Sequence, residues 1–317
     1  MSRCSLCLLG FAFVMPGFAQ AQFDAPQEGA GALFGKSETM KYTCGVKIRA
    51  GGGPVAGVTG TITVPDDWPE QQVKVSTEDI GNSVKVSYRK MEGGLKQMVV
   101  QTGQIPVGTF VTALVTWEIT KTAQLAPTDT AAYIVPKNPR ETRKWIGPSP
   151  GMDPQSSRIK SMVKEAIEGQ EGTWAQLEAV YDATRDKVKL ERGAKPKTAT
   201  DALKDGKANK EMLTAVFIAA CRSLKVPART VWITDGCYAE FFLEDAKGKG
   251  FWFPAMVVGE KKEFGGVNDF HPILQKGDNF KVPELNEPQT FVPEVLKGKP
   301  GAAGGGKPEV EFVRRNE

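Results

Sequence analysis

Residues 206–256, GKANKEMLTAVFIAACRSLKVPARTVWITDGCYAEFFLEDAKGKGFWFPAM, constrain the fold more than any other stretch. From about 208 to 224, Met212, Leu213, Val216, Phe217, Ala219, Ala220 and Leu224 make a helix apolar over most of its surface. Such a helix has to lie inside the molecule. Lys225-Val226-Pro227-Ala228-Arg229 follows it. Strands are expected near 228–234, 238–244 and 251–257, with EDAKGKG as a hairpin turn. A buried helix that leads into a run of strands is the order of an α+β fold.

The chain before it has a different period. In 111–120, Val111, Ala113, Val115, Trp117 and Ile119 share one face, while the other is mostly Thr and Glu. That alternation predicts a half-buried strand. Shorter β-rich runs lie at 41–49, 58–64, 72–78, 84–89 and 96–101, punctuated by Gly, Pro, Asp and Asn. Six or seven short strands without a helix predict an antiparallel β-sandwich-like domain over 38–122. Residues 22–37 read as a flexible Gly/Ala-rich segment. Residues 123–157 read as a connector, since Pro127, Pro136, Pro139, Pro148, Pro150 and Pro154 exclude long regular elements. Trp145 and Ile146 are expected to pin it to a domain surface.

Helical signals begin near 156. Ser157 is a candidate cap, and Thr173 with Gln176 a candidate capping box. The second helix carries Trp174, Leu177, Val180, Tyr181, Thr184 and Val188 on one stripe. The second domain is expected over 158–287. Residues 288–317, including GKPGAAGGGKP, read as a mobile tail with room for a short strand at EVEFV. The length of 317 residues suits two domains.

The N-terminus has the pattern of a secretory signal over 1–21. Arg3 precedes an apolar run, 4–18, and Ala19-Gln20-Ala21 is a small-x-small cleavage site. Pro16 interrupts the run, which is shorter than the ~20 residues of a spanning helix. Export is therefore expected, with cleavage near Ala21 and no transmembrane segment in the mature chain. Cys44, Cys221 and Cys237 remain after cleavage, an odd count that does not make a disulfide framework. No cysteine or histidine spacing offers a metal site, and no cofactor is expected. A net charge of +4 from well-mixed residues does not point to nucleic acid.

The second half resembles the transglutaminase-like superfamily, whose core has the papain-type thiol-enzyme fold. Four features carry the resemblance. Thr198-Ala199-Thr200-Asp201-Ala202-Leu203 resembles a Thr-Ala-x-x-Ala-Leu segment before the central helix, and Arg222 to Arg229 resembles Arg-Ala-x-Gly-Ile-Pro-Ala-Arg. Gly236-Cys237-Tyr238-Ala239-Glu240 stands in a His-x-Trp-x-Glu frame, and Trp252 to Met256 in a Trp-x-x-x-Asp frame. The resemblance implies an α+β domain of this kind after the β-sandwich. It also implies a cysteine nucleophile at the helix N-terminus, where the helix dipole favours a thiolate. A histidine base and an orienting acid complete such a site.

At those positions this chain has Lys210, Gly236 and Met256. Small register errors do not restore the chemistry. No cysteine lies between Cys44 and Cys221, and no histidine precedes His271, the only one in the chain. Cys221 lies about 16 Å along the helix from its start and reads as a packing thiol. These substitutions weigh against catalysis. They predict a non-catalytic transglutaminase-like protein with a structural role or one that binds a peptide, protein or cell-envelope component. Tyr238, Glu240 and Trp252 are the candidate binding residues of the former groove. The alternative is an unorthodox thiol amidase, protease or acyl transferase using Cys237 with His271, or Lys210.

Overall fold

The computed structural model describes residues 31, 33–91, 94–301 and 305–317. The expected signal, and the flexible segment as far as residue 30, lie outside them.

Six strands come first: β1 Leu33–Arg49, β2 Val55–Val64, β3 Gln71–Ile80, β4 Val84–Met91, β5 Leu95–Ile105 and β6 Phe110–Leu125. Helices α1 Ser157–Ala166 and α2 Thr173–Lys187 follow, then β7 Lys189–Leu190, α3 Ala199–Asp205, β8 Lys207–Ala208 and α4 Lys210–Ser223. The remaining strands are β9 Ala228–Ile233, β10 Gly236–Glu244, β11 Gly250–Met256, β12 Glu263–Phe264, β13 Ile273–Lys276, β14 Val295–Pro300 and β15 Glu309–Asn316.

The β-sandwich forms as its period predicts, but two of its strands are long. β1 and β6 span 17 and 16 residues and pair antiparallel from Leu33↔Leu125 to Arg49↔Phe110. Their inward faces place Tyr42, Cys44, Val46, Ile48, Val115, Trp117 and Ile119 in one core with Ile62, Met98 and Val100. On the outward face hydroxyls meet across the strands: Thr39–Thr120 at 2.8 Å and Thr43–Thr116 at 2.7 Å. Such pairs fix register as well as adding stability.

Three expectations about segments need correction. Residues 33–37 are not a flexible segment, because they begin β1. Residues 288–317 are not simply a mobile tail. β14 pairs with β2 and β15 with β1, and Leu296 and Phe312 pack against the sandwich core. Both strands cover sheet edges that would otherwise expose unpaired backbone. The third concerns the second helix, which starts at Thr173 with Gly172 as its cap residue and makes no side-chain cap bond. Gln176 donates instead to the Gln170 carbonyl, so no capping box forms there. α1 begins at Ser157 with Ser156 in the cap position, also without a side-chain cap bond.

The two halves share a sheet. Nine strands join in the order β12-β11-β10-β9-β13-β5-β2-β14, with β4 on β5. The link is narrow, a single pair, Gln275↔Leu95. Across β10 and β9 lies α4, buried continuously from Leu213 to Arg222. An aromatic cluster holds the helices on the sheet: Trp174 meets Phe253 at 5.1 Å and Phe264 at 5.3 Å, and Phe241 stacks on Phe264 at 5.1 Å. Edge-to-face rings of this kind add to simple area burial.

Candidate functional site

The buried helix α4 is fixed at both ends. At its C-terminal end Arg222 and Asp278 are both fully buried, with Arg222 Nη2 2.8 Å from each carboxylate oxygen. Arg222 also donates to the Ala228 and Gly147 carbonyls and to Ser149 Oγ. Asp278 accepts further from the Thr230 amide. Every group of this ion pair is met, as a buried charge requires.

At the other end, Asn209 Oδ1 caps the helix by accepting from the Met212 amide at 2.9 Å. Lys210 is the first helical residue. Its Nζ donates to Asp235 Oδ2 at 3.0 Å and to the Asp235 carbonyl at 3.1 Å. Gly236 lies directly beside it, so close that a Cβ there would meet Lys210 Cδ at 3.2 Å. Its φ is 132°, a backbone conformation that L side chains rarely adopt. Ala239 pairs with Ala255. Continuing that register puts Met256 opposite Tyr238 and on the same sheet face as Gly236. The structure thus brings Lys210 and Gly236 together, while Met256 packs against Val231, Ile233, Tyr238 and Ile273. At the two positions that the sequence resemblance assigns to nucleophile and base stand an ammonium–carboxylate pair and a glycine.

The three thiols of the described residues are all buried. Cys237 is 5% exposed on the face toward α4. Burial pushes its thiol up to about 12, although a hydrogen bond with Thr214 and the nearby Lys210 charge act in the opposite direction. Cys44 is likewise pushed up to about 12 by burial, and Cys221, fully buried, is raised further by the same cause. Thiols in that state carry almost no thiolate at neutral pH.

His271 is held elsewhere. Its Nδ1 lies 2.7 Å from Asp269 Oδ2, and its ring is 44% exposed. Lys121 donates to Asp269 and to the His271 carbonyl. Burial would raise the Asp269 pKa, but Lys121 and His271 hold it below the usual carboxylate range. Cys237 bonds to Thr214 and His271 to Asp269, so the structure does not pair the two.

The candidate groove residues separate by depth. Tyr238 and Glu240 are each 1% exposed, so neither presents surface to a ligand. Glu240 lies between Arg229, 2.8 Å away, and Lys276, 2.5 Å away, which also meets Glu70. Burial opposes ionisation of Glu240, but the two cations lower its pKa overall. Trp252, in contrast, lines an open cavity of about 610 Å³ with Trp68, Trp145, Arg140, Arg229 and Glu244. Arg229 lies over the Trp252 ring, 4.0 Å from its centre, and 5.9 Å from that of Trp145. Phe242 and Glu244 of the lining stand at the far end of β10 from Gly236, about 20 Å away at ~3.3 Å per residue.

Sequence reading missed Asp278, Lys276, Glu70 and the cavity. Arg222 is 56 residues from Asp278, and Glu70 is 206 from Lys276. No local pattern signals pairs so distant. The only available clue was that Arg222, on an otherwise apolar helix, needs a buried counter-charge.

Residues 160–255 match the family model described as the transglutaminase-like superfamily. Among solved structures, the chain is similar to a "putative cysteine protease" from Cytophaga hutchinsonii, at 12% identity and a TM-score of 0.57. That match covers 89% of this chain and 92% of the other. A "putative protease" from Parabacteroides distasonis also matches, at 11% identity and a TM-score of 0.29, covering 69% of this chain and 43% of that one. No curated protein matches. At such identities the first structure speaks for the fold alone. Residues 160–255 thus match the superfamily model in sequence, within a chain whose fold is similar to that of the first structure.

Proposed function

We propose that this protein is a non-catalytic transglutaminase-like protein, exported after cleavage near Ala21. Its role is to bind a peptide, protein or cell-envelope component. One observation carries the reading. The helix N-terminus that the superfamily gives to a thiolate is occupied by Lys210, clasped to Asp235 and pressed against Gly236. A cation at that terminus is disfavoured by roughly 0.3–1 kcal/mol, and Asp235 offsets the charge. The high thiol pKa of Cys237 supports the same reading.

The test uses the mature chain with glutamine-containing peptides and a primary amine, and follows ammonia release and amine incorporation. The expected result is no turnover above the buffer rate. Turnover that disappears in Cys237→Ala or Lys210→Ala overturns the reading and favours the thiol or lysine chemistry.

A further inference from the structure

We infer that the tryptophan-lined cavity at the hairpin end of β10 and β11 is a binding site for a small aromatic carboxylate. It is separate from the corner at Lys210, and the inference stands whether or not that corner is silent.

The cavity draws on three parts of the chain. Trp68 and Gly94 come from the sandwich half, residues 138–145 from the segment before α1, and Arg229, Phe242 and Trp252 from the second sheet. Its volume of about 610 Å³ falls in the usual range for small-molecule sites. Three indoles and Phe242 offer faces for a flat ring, and Asn138, Thr142 and the charged side chains supply the polar part of the wall.

The charges select the other end of the ligand. Arg140, Lys144 and Arg229 line the cavity with Glu141 and Glu244. Glu240 takes Arg229 through Nε and Nη2. No hydrogen bond from Arg229 Nη1 is seen among the described residues. The guanidinium carbon lies over the Trp252 ring, 4.0 Å from its centre, and Glu240 holds its other edge, so its orientation is set before any ligand arrives. Preorganisation of this kind is what a carboxylate-binding arginine needs. Arg140 is exposed at the rim and supplies a second cation. The ring would lie along the indoles, with the carboxylate at the guanidinium edge.

The test titrates the mature protein with 3-phenylpropanoate, using tryptophan fluorescence and calorimetry. Three comparisons accompany it: 3-phenylpropanamide, which removes the charge; propanoate, which removes the ring; and N-acetyl-L-phenylalanine, which mimics the end of a peptide. Saturable binding of 3-phenylpropanoate or N-acetyl-L-phenylalanine is expected. The tighter of the two shows whether a free acid or a peptide end is the natural form. The amide and propanoate should each bind at least ten-fold more weakly. Arg140→Glu, an exposed change that spares the core, should weaken binding about ten-fold without altering the melting temperature, and Trp252→Leu should abolish it. Lys210→Ala should leave it unchanged. Failure of both aromatic acids to bind at millimolar concentration, equal binding of the amide, or loss in Lys210→Ala but not in Arg140→Glu overturns the inference.

Discussion

Each end of α4 carries one cation–anion pair, and the two pairs differ in almost every physical respect. Arg222–Asp278 is fully buried and meets backbone groups from two segments, β9 and the stretch at Gly147. Lys210–Asp235 has side chains that are 45% and 67% exposed and meets little else. The first pair joins the helix to the sheet and so belongs to the framework. The second occupies the place to which the proposed reading assigns the superfamily's nucleophile. The contrast teaches that the two ends answer to different constraints. A buried charge network cannot lose a member without leaving an orphan, whereas an exposed corner accepts new residues at small cost.

Substitutions can break or sharpen this contrast. The largest effect belongs to Asp278→Ala, which leaves Arg222 buried without its counter-ion. A loss of about 3–5 kcal/mol is expected by urea unfolding. A loss under 1 kcal/mol would dissolve the distinction between the two ends. Next comes Gly236→Ala. It forces a side chain into a positive-φ backbone and toward Lys210 Cδ. About 1–3 kcal/mol of destabilisation is expected by the same measurement. This also bears on chemistry, since a histidine base cannot be restored at 236 without first changing the local backbone.

The acid dependence comes third. Asp269 and Glu240 have folded pKa values held below the ordinary range. Their stabilising contribution is complete above the unfolded carboxylate value, about 4, and is lost as pH falls from there through the folded values. Asp269→Asn should therefore flatten the acid limb of the stability curve. An unaltered acid limb would show that the Lys121–Asp269–His271 group does not contribute. The smallest effect belongs to Lys210→Ala, expected to change stability by less than about 1 kcal/mol. A larger loss would make the corner part of the framework.

Much of this contrast was legible in the sequence, because the framework is written in local patterns. The apolar α4 and the alternation of 111–120 each named their elements within a few residues of the observed limits. The counting that placed Lys210 beside Gly236 rested on a motif only a few tens of residues long. The charge networks were not legible, because Glu70, Glu240, Lys276 and Asp278 are brought together only by the fold. EVEFV was legible as a short strand, but β14 and the pairing of both terminal strands were hidden for another reason. Gly- and Pro-rich composition suggests mobility, and nothing local reveals that β1 and β2 offer edges to cover. The cavity combines both difficulties, with Trp68, Trp145 and Trp252 each unremarkable in its own segment.

The central claim is that no nucleophile operates at the N-terminus of α4. It is tested most directly by incubating the native mature protein with a peptide-amide electrophile near neutral pH. Intact mass and peptide mapping then locate any adduct. The predicted result is an unmodified native chain, with Cys44, Cys221 and Cys237 labelling only after denaturation. A rapid, stoichiometric adduct on native Cys237 or Lys210 would contradict the claim.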